Sequence, residues 1–569
     1  MFSLASVPST FGSVSRRLLG MHSEESEAAA LRRCDWRFLL PTPPGGVFEH
    51  IVLLGAREGI AETIVKSGIA RAVSEQVPGE RCADALIVLR RSGASLERCA
   101  GCLQPGGVVY WEIDRGNLAR TFTSVSSATE TLRAAGLSPT GAYWVRPGFV
   151  NAQIYLPLQD EAVLRWYVRS LFTAATLGER VMEGVLRVML SLGTRLTGAL
   201  IPEFALTGVS ETESAPPSVL GDAYVRHELW RTVRRPRGVG RLSDQELLLL
   251  TPGEDNWSRV VAMPFPRGGR EPIAVLKLAR VAERNLHTEK EQRVLSEIRS
   301  AVDADMRRTL PEGFGTFCWR ELTVGMESYV SGRLLAATSA RWGNSLPRKL
   351  QDLNLAAEWL TEFHRQTQVR RPKWGEPELA AWSERALERY EEAFGVTPAE
   401  RDLFERTRER HGQLLGSPFP IVWCHNGFSS WNICRENNDI GVFDWESAER
   451  GPALFDLIYL VFRWNLELGH SFRKDAHIRA FRDLFLAAPA RHTARLAVHG
   501  AIQRYMEALE IEPRSFPLSL VALWTIRAIS RANRAQLVGQ VGPDPRRHNV
   551  YVSYLAVLAA DAPRLFRSW

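Results

Sequence analysis

The sequence has no long apolar run: no window reaches about 18 uncharged apolar residues, the usual length of a membrane-spanning helix. The closest segment, 181–200, contains Glu183, Arg187 and Arg195 at helical spacing. We therefore expect no membrane span and interpret this segment as an amphipathic helix packed on one face. A helix lying at a membrane interface is the alternative, which leaves peripheral membrane contact open.

Cysteine is scarce, and no charge sign dominates. Seven cysteines without repeated spacing do not form a disulfide framework, so we expect a reducing, cytoplasmic environment. Cys99 and Cys102 form a lone CxxC, which we interpret as two ordinary thiols on a helix, a metal or redox site being the alternative. The 71 basic residues are spread along the chain and offset by 64 acidic ones, which does not favour a nucleic-acid partner.

The length of 569 residues is too great for a single core, and the pattern changes along the chain. Short apolar runs alternate with helical segments from Glu49 to about Leu158, which predicts a parallel, Rossmann-like α/β sheet. Antiparallel strands follow from Glu246, and the remainder is mostly helical. The predicted segments are a leader disordered in part (1–45), an α/β domain (46–158), a helical connector and linker (159–245), a sheet-rich lobe (246–335) and a helical lobe (336–569).

The sheet-rich lobe offers parts of a phosphoryl-transfer site. Such a site holds a triphosphate with a lysine, binds magnesium with oxygen ligands and orients the accepting hydroxyl with a carboxylate. Lys277, in AVLKLAR at the end of the third strand, is placed to reach phosphates. Glu291, in the next predicted helix, is placed to pair with that lysine. The loop 251–259, TPGEDNWSR, would cover the phosphates.

Two strings further along, CHNGFSSWNI and GVFDWESAERGPALFDL, resemble the aminoglycoside phosphotransferase and choline kinase family, whose loop reads HGDxxxxN and whose next strand ends in DWE or DFE. The residues that match as they stand are His425, Asn432, Asp444, Trp445, Glu446, Gly451, Pro452 and Asp456. Over 246–569 the resemblance implies an α+β bilobal protein-kinase-like fold, ATP and Mg²⁺ as cofactors, and a sugar or amino alcohol as substrate.

The resemblance also implies individual roles. Asn432 and Asp444 would bind magnesium, and His425 would order the loop through hydrogen bonds. Met326 and Ser328 would lie at the hinge and meet adenine through the backbone. A buried structural strand explains those two residues equally well.

The sequence departs from the family at Gly427, five residues before Asn432, where the family places its catalytic aspartate. Glycine cannot act as a base, and the amide of Asn426 accepts no proton at neutral pH. Two interpretations stay open. Either a phosphotransferase retains slow activity, with a base on the substrate itself or a neighbouring carboxylate such as Glu446 or Asp439 in substitution, or the chain is a pseudokinase that acts by binding.

The α/β segment has a glycine turn after its first strand, with Gly55 and Gly59, and an acid, Glu75, after its second. With LQPGGVVYWEI and a closing hairpin, it resembles class I S-adenosylmethionine-dependent methyltransferases, which implies an S-adenosylmethionine site at these residues. Arg57 stands where the motif's middle glycine is expected. A degenerate scaffold and a truncated but working cofactor site are the two interpretations.

Overall fold

The computed structural model of the chain describes residues 27–568 except 42, 44–45, 58, 80, 91, 93–94, 115–123, 193–200, 202, 212–219, 221–244, 254–257, 469–473, 488–492, 538–543 and 548. The chain divides into two compact units. One comprises Met1–Arg293 and Pro311–Tyr329, and the other comprises Val294–Leu310 and Val330–Trp569. Most of the predicted leader, residues 1–26, lies outside the described residues.

The first unit is built on a 12-stranded mixed sheet with the order β2-β1-β3-β4-β7-β5-β6-β8-β9-β10-β12-β11. Its strands are β1 (Phe48–Leu54), β2 (Ala70–Ser74), β3 (Ala83–Val88), β4 (Leu103–Asp114), β5 (Leu137–Arg146), β6 (Ile154–Pro157), β7 (Glu203–Ser210), β8 (Gln245–Leu250), β9 (Val260–Pro266), β10 (Val275–Leu278), β11 (Gly313–Trp319) and β12 (Leu322–Glu327). Its helices are α1 (Glu27–Arg33), α2 (Ile60–Lys66), α3 (Leu96–Cys99), α4 (Val125–Ala134), α5 (Glu161–Ser170), α6 (Leu177–Leu192) and α7 (Asn285–Ala301), along which the division between the units falls.

The predicted parallel arrangement is confirmed for β2, β1, β3 and β4. The predicted turn at 104–107 lies within β4, where the pairing with β3 shifts register. Leu103 pairs with Ala83, whereas Val108 pairs with Ala85. β5 and β6 form the predicted antiparallel hairpin. All other pairings in this sheet are antiparallel, so the architecture is a large mixed sheet and a Rossmann-like fold is not established.

The predicted helical connector, 159–245, is wrong in part. Helices α5 and α6 are present, but Glu203–Ser210 forms β7, which lies between β4 and β5. The side chains of its sequence EFALTGVS are buried on both faces, as in a central strand. In so short an apolar segment, the periodicity of the sequence does not distinguish a helix from a strand. Residues 212–219 and 221–244 lie outside the described residues.

The predicted boundary between the α/β domain and the sheet-rich lobe is not a boundary of the sheet. Ile154 and Tyr155 of β6 pair with Leu250 and Leu249 of β8, so strands from both predicted segments form one sheet. The antiparallel strands predicted from Glu246 are confirmed as β8, β9 and β10.

Inner strands of this sheet are buried on both faces. In β1, Ile51 and Leu53 belong to one apolar core, and Val52 and Leu54 to the other. β8 alternates in the same way. Strands covered on both faces have near-continuous apolar sequences, as HIVLLGA and ELLLL do.

The N-terminal segment corrects the expectation of a disordered leader over residues 27–39. α1 leads into a 3-10 helix, Asp35–Leu39, and all five residues of the latter are buried. Trp36 stacks on Tyr110 with ring centroids 5.7 Å apart, and Phe38 lies against Trp319. This segment is therefore part of the core of the first unit.

Helix α6 has two apolar faces. Leu186 and Leu190 are buried, whereas Leu177, Val181 and Val188 are more than half exposed. None of the helices in the described part of the chain is long and apolar enough to cross a membrane. Peripheral membrane contact through this helix stays a prediction.

The second unit is mainly helical. Its helices are α8 (Ala304–Arg308), α9 (Ala336–Ser339), α10 (Leu346–Gln366), α11 (Pro377–Phe394), α12 (Pro398–Leu414), α13 (Leu454–Leu468), α14 (Lys474–Phe485), α15 (Thr493–Ala508), α16 (Phe516–Leu537), α17 (Val550–Ala560) and α18 (Ala562–Ser568). Its strands are β13 (Arg333–Leu334), β14 (Ile421–Cys424), β15 (Ile433–Glu436), β16 (Asp439–Val442) and β17 (Glu449–Pro452), in the sheets β13-β15-β16 and β14-β17. The predicted β-rich segment from Ile421 to Trp445 is thereby confirmed.

Candidate functional site

Four charged residues form a buried cluster in the first unit. Lys277 Nζ lies 2.9 Å from Glu291 Oε1 and 2.8 Å from Glu327 Oε1, and Arg259 donates to the other oxygen of Glu291. Each of the four side chains is at most 8% exposed. The predicted pairing of Lys277 with Glu291 is confirmed. The second carboxylate on the lysine was not predicted.

The two carboxylates of this cluster titrate differently. Burial alone would raise the pKa of Glu291, but the adjacent Arg259 and Lys277 hold it well below its usual range. Burial raises the pKa of Glu327, which has Lys277 on one side and the charge of Glu291 nearby. Of these two carboxylates, Glu327 is therefore the one that takes up a proton first as the pH falls.

Met326 and Ser328 lie at the end of β12. Met326 is fully buried and pairs with Leu276 of β10 on one side and Gly315 of β11 on the other. Ser328 follows the strand, and its backbone amide donates to the carbonyl of Glu312 at 2.8 Å. Both positions are thus held by the sheet, and their contact with adenine stays a prediction.

In the second unit, the loop after β14 is anchored on Asp456 of α13. Its carboxylate accepts hydrogen bonds from the backbone amides of His425 (2.5 Å) and Asn426 (2.8 Å). Burial by itself would raise the pKa of Asp456, but its interaction with His364, whose Nε2 lies 3.6 Å from Oδ2, and the hydrogen bond from the amide of His425 lower it. The matched tail residue Asp456 therefore fixes the start of the loop.

His425 is oriented by hydrogen bonds on both ring nitrogens. Its Nε2–H donates to the carbonyl of Phe443 at 2.9 Å, and its Nδ1 accepts from the amide of Gly427 at 3.2 Å. This pattern specifies the neutral tautomer with the proton on Nε2. The ring also packs on Trp445. The geometry supports the predicted structural role of His425.

Asn426 and Gly427 occupy the positions of the Gly-Asp pair in the HGDxxxxN pattern. Asn426 has φ +59°, a left-handed conformation that asparagine tolerates better than most side chains. Its amide donates to Ser447 O and Glu449 Oε1. Gly427 is not in that conformation, and a Cβ added to it would have Asn432 Nδ2 and His425 Nδ1 as nearest atoms, each at 3.3 Å.

Asn432 and Asp444 are brought together by the β15–β16 hairpin. Ile433 pairs with Val442, and the amide of Phe443 donates to the carbonyl of Asn432, so Asn432 and Asp444 flank the same end of the hairpin. Asn432 Nδ2 donates to Gly427 O at 2.9 Å, which fixes the side chain and leaves Oδ1 buried with no hydrogen-bond donor among the described residues.

A buried amide oxygen of this kind costs free energy unless a ligand binds it. An amide oxygen beside a carboxylate suits Mg²⁺, which takes few protein ligands and keeps phosphate or water oxygens. In the described part of the chain, no group of three or more His, Cys, Asp or Glu is placed to hold a metal. By the chemistry of their oxygens, Asn432 and Asp444 fit a metal ion that takes its other ligands from phosphate or water.

The glycine turn of the first unit, which contains Gly55 and Gly59, packs against the protein's own backbone at Gly55. A Cβ on Gly55 (φ +76°) would lie 2.5 Å from the backbone nitrogen of Ser92. Gly59 precedes α2 with φ +86° and has open space around it. Glu75 follows β2 and is exposed. The contact of Gly55 with Ser92 accounts for that glycine without a cofactor, and the predicted S-adenosylmethionine site has no support from this geometry.

Cys99 and Cys102 are both buried free thiols on α3 and the following 3-10 helix. Burial raises the pKa of both, to about 11 for Cys102. A raised pKa disfavours the thiolate that metal binding and redox chemistry require.

Residues 267–496 match the phosphotransferase enzyme family (APH), so the chain carries a domain of that family over this segment. The match contains Lys277, Glu291, His425, Asn432 and Asp444. It does not extend to the α/β segment, 46–158. No curated protein matches the chain.

Solved structures similar to the chain include several kinases of small molecules. A glucosamine kinase is 17% identical, with 62% of this chain and 83% of that chain covered and a TM-score of 0.35. A choline kinase from Cryptosporidium parvum Iowa II is 12% identical, with 61% and 99% covered and a TM-score of 0.32. An amicoumacin kinase in complex with AMP-PNP, Ca²⁺ and Ami is 10% identical, with 60% and 96% covered and a TM-score of 0.32.

Sequence reasoning missed Glu327 and Arg259, the outer members of the Lys277 cluster. Glu327 lies two residues beyond Gly325, which pairs with Lys277, and therefore shares a face with that lysine. Once β10 and β12 are known to be neighbours, the alternation of side chains finds Glu327. Arg259 has no comparable local signal.

Proposed function

We propose that the chain is an ATP- and magnesium-dependent phosphotransferase-like protein whose acceptor is a hydroxyl group of a small molecule, a sugar or an amino alcohol. The family match over 267–496 supports the reaction class. The single observation that carries the proposal is the buried Oδ1 of Asn432, which is fixed in place and has no hydrogen-bond donor in the part of the chain that the structure describes.

Each retained residue has a role in this proposal. Lys277 would hold phosphate oxygens, and Glu291 would fix the direction of its ammonium group. Asn432 and Asp444 would hold Mg²⁺, which supplies charge neutralisation at the phosphates when bound. His425 and Asp456 would keep the loop that carries Asn432 in one conformation.

The part that is missing is the base at Gly427. Losing one positioned base lowers a rate by about 10²- to 10⁴-fold, which leaves nucleotide binding intact. Asp439, one of the two proposed substitutes, is exposed at the start of β16, and the atoms nearest to a Cβ on Gly427 belong to Asn432 and His425. We therefore expect slow transfer at most.

A protein that senses nucleotide or acts as a scaffold is the second candidate. Gly427 favours it, as does Lys277, which is already paired with two carboxylates. In both candidates the α/β part would have a structural role, consistent with its strands continuing into the sheet that carries Lys277.

The deciding measurement is thermal unfolding with ATP and Mg²⁺, because a ligand that binds the native state raises the melting temperature. We expect a magnesium-dependent shift at millimolar ATP that Asp444→Ala abolishes. Asp439→Ala, which removes a carboxylate from the exposed start of β16, is the matched control and should keep the shift. No shift with the wild-type protein would refute nucleotide binding. ADP release by wild type then separates a slow enzyme from a binding protein.

A further inference from the structure

Helix α16 of the second unit carries positive charge along one side. Arg527, Arg531 and Arg534 are spaced by four and then three residues, which places them on one face of the helix. The sequence of α16 contains no acidic residue, and neither does that of α17, which packs against it. The positive charge on this face is therefore not balanced by a carboxylate from either helix.

The buried end of this face contacts the loop that contains Gly427. Arg527 is 5% exposed, and its Nη2 donates to the carbonyl of Asn426 at 2.5 Å. Its guanidinium carbon lies 4.3 Å from the centre of the Tyr459 ring on α13. Arg531, one turn further along α16, is exposed. The face therefore extends from the residue beside Gly427 to solvent.

Helices α13 and α17 add a second arginine and three tyrosines to this place. Arg463 follows Tyr459 by one turn of α13 and interacts electrostatically with Tyr551 and Tyr554 of α17. The same two tyrosines interact with Arg531. We call these five side chains the basic–aromatic cluster. All of them belong to the second unit and to the part of the chain that the structure describes.

The guanidinium group of Arg463 is not satisfied within this cluster. Its Nε is buried, and no described residue accepts a hydrogen bond from it. The phenols around it are neutral near pH 7, since burial raises the pKa of Tyr551 and Tyr554 above the ordinary value.

The carboxylate with which Arg463 interacts most strongly is already engaged elsewhere. That carboxylate is Glu467, whose oxygens accept hydrogen bonds from Ser339, at 2.6 Å, and from Ser430. A buried donor without an acceptor costs free energy, and a bound oxyanion would supply the acceptor. The unsatisfied Nε of Arg463 therefore points to an anionic ligand.

We infer that the acceptor molecule carries an oxyanion group, a carboxylate or a phosphate, which Arg463 and Arg531 bind while its hydroxyl lies at the Gly427 loop. The inference rests on the proposed function, which assigns the missing base to Gly427 and so places the accepting hydroxyl beside it. Guanidinium groups match the oxygens of carboxylates and phosphates, and the tyrosine rings offer apolar faces to the rest of the ligand. An acidic or phosphorylated sugar meets these requirements, whereas like charges oppose a cationic amino alcohol.

The test measures binding of the acceptor in the absence of nucleotide, by titration calorimetry at low salt. The probes are gluconate and glucose 6-phosphate, with glucose as the neutral and glucosamine as the cationic counterpart. We expect at least one of the two anions to bind about tenfold or more tightly than glucose, and glucosamine to bind no better than glucose. The tighter of the two anions tells a carboxylate site from a phosphate site. Anion binding should weaken as salt is added, because counterions screen the arginines.

Two variants locate the site. Arg463→Gln and Arg531→Gln should each weaken binding of the preferred anion about tenfold. Arg401→Gln, which removes an exposed arginine from α12, is the matched control and should leave the affinity unchanged. Arg531 is exposed, so its variant still tests the site if Arg463→Gln does not fold.

Each outcome separates this inference from the proposed function. Equal affinity for glucose and both anions, or anion affinity that is unchanged in both arginine variants, would overturn the anionic acceptor while Mg-ATP binding by the wild type persists. Anion binding that depends on Arg463 or Arg531 in a protein that does not bind Mg-ATP would instead refute the proposed function.

Discussion

Two loops that follow buried strands each contain a glycine. The two glycines differ in their φ angle and in the atoms that a Cβ would meet. Gly55, after β1, has φ +76°, and the backbone of Ser92 occupies the space that a Cβ would need. Gly427, after β14, has no positive φ, and the atoms nearest to an added Cβ belong to side chains 3.3 Å away. The first glycine is required by the fold, whereas the second is not.

This difference determines whether each glycine is evidence about function. At Gly55 a glycine typical of a cofactor turn has a sufficient structural reason, so it is no evidence of a cofactor. At Gly427 the φ does not require glycine, and a Cβ there would lie 3.3 Å from two hydrogen-bonded side chains that must shift slightly to admit it, so the glycine is a chemical departure that the backbone conformation does not demand. The loop around it is held by hydrogen bonds to Asp456 and by the hydrogen bond from Asn432 to Gly427 O.

The largest expected effect is a gain of activity in Gly427→Asp. Restoring a carboxylate at this position should raise ADP release with sugars or amino alcohols by about 10²- to 10⁴-fold. Mg-ATP affinity should not change. Gly427→Asn is the matched control, because it has nearly the same shape and no basic group. A folded Gly427→Asp variant that binds ATP without any gain would mean that a further part of the apparatus is missing.

Gly55→Ala should destabilise the protein by about 3 kcal/mol, because the added methyl collides with backbone and the left-handed φ becomes strained. Gly59→Ala is the control, since it has the same kind of φ and open space, and should cost about 1 kcal/mol. Gly427→Ala should cost less than about 1 kcal/mol. Urea unfolding measures all three, and equal losses at 55 and 427 would break the comparison.

Asp456→Asn should cost about 2 kcal/mol, since it weakens two hydrogen bonds to backbone amides of the Gly427 loop. The pKa of Asp456 is lowered in the folded protein, so its contribution is complete above the ordinary value of 3.8 and is lost as the pH falls below it. The stability difference between wild type and Asp456→Asn should therefore shrink in acid. Urea unfolding at pH 7 and below pH 4 checks this, and a difference independent of pH would contradict the assignment.

The smallest effect is expected for Glu327→Gln. Removing one of the two carboxylates on Lys277 leaves its charge more available to phosphates, so Mg-ATP should bind about fivefold more tightly. Glu289→Gln, an exposed position two residues before Glu291 on α7, should not change the affinity. Weaker binding in Glu327→Gln would show that Glu327 supports Lys277 and does not compete for it.

The sequence predicted the parts of this molecule that local patterns encode. Short apolar runs located β1, β8 and β9, and ordered motif spacing located His425, Asn432 and Asp444. It did not predict that β7 enters the sheet between β4 and β5, nor that Asp35 pairs with Arg280, 245 residues away. Such contacts depend on which strands become neighbours, which a single sequence does not state.

The pairing of β6 with β8 has a consequence for how this protein can be divided. Hydrogen bonds between these strands cross from the segment before residue 158 to the segment after 245, so cutting the chain at the intervening stretch leaves an unpaired edge on each product. Unpaired, apolar strand edges recruit other strands and aggregate. β8 and the strands that follow it are therefore not an exchangeable module here, and they would be inherited, lost or transplanted only together with the α/β strands beside them.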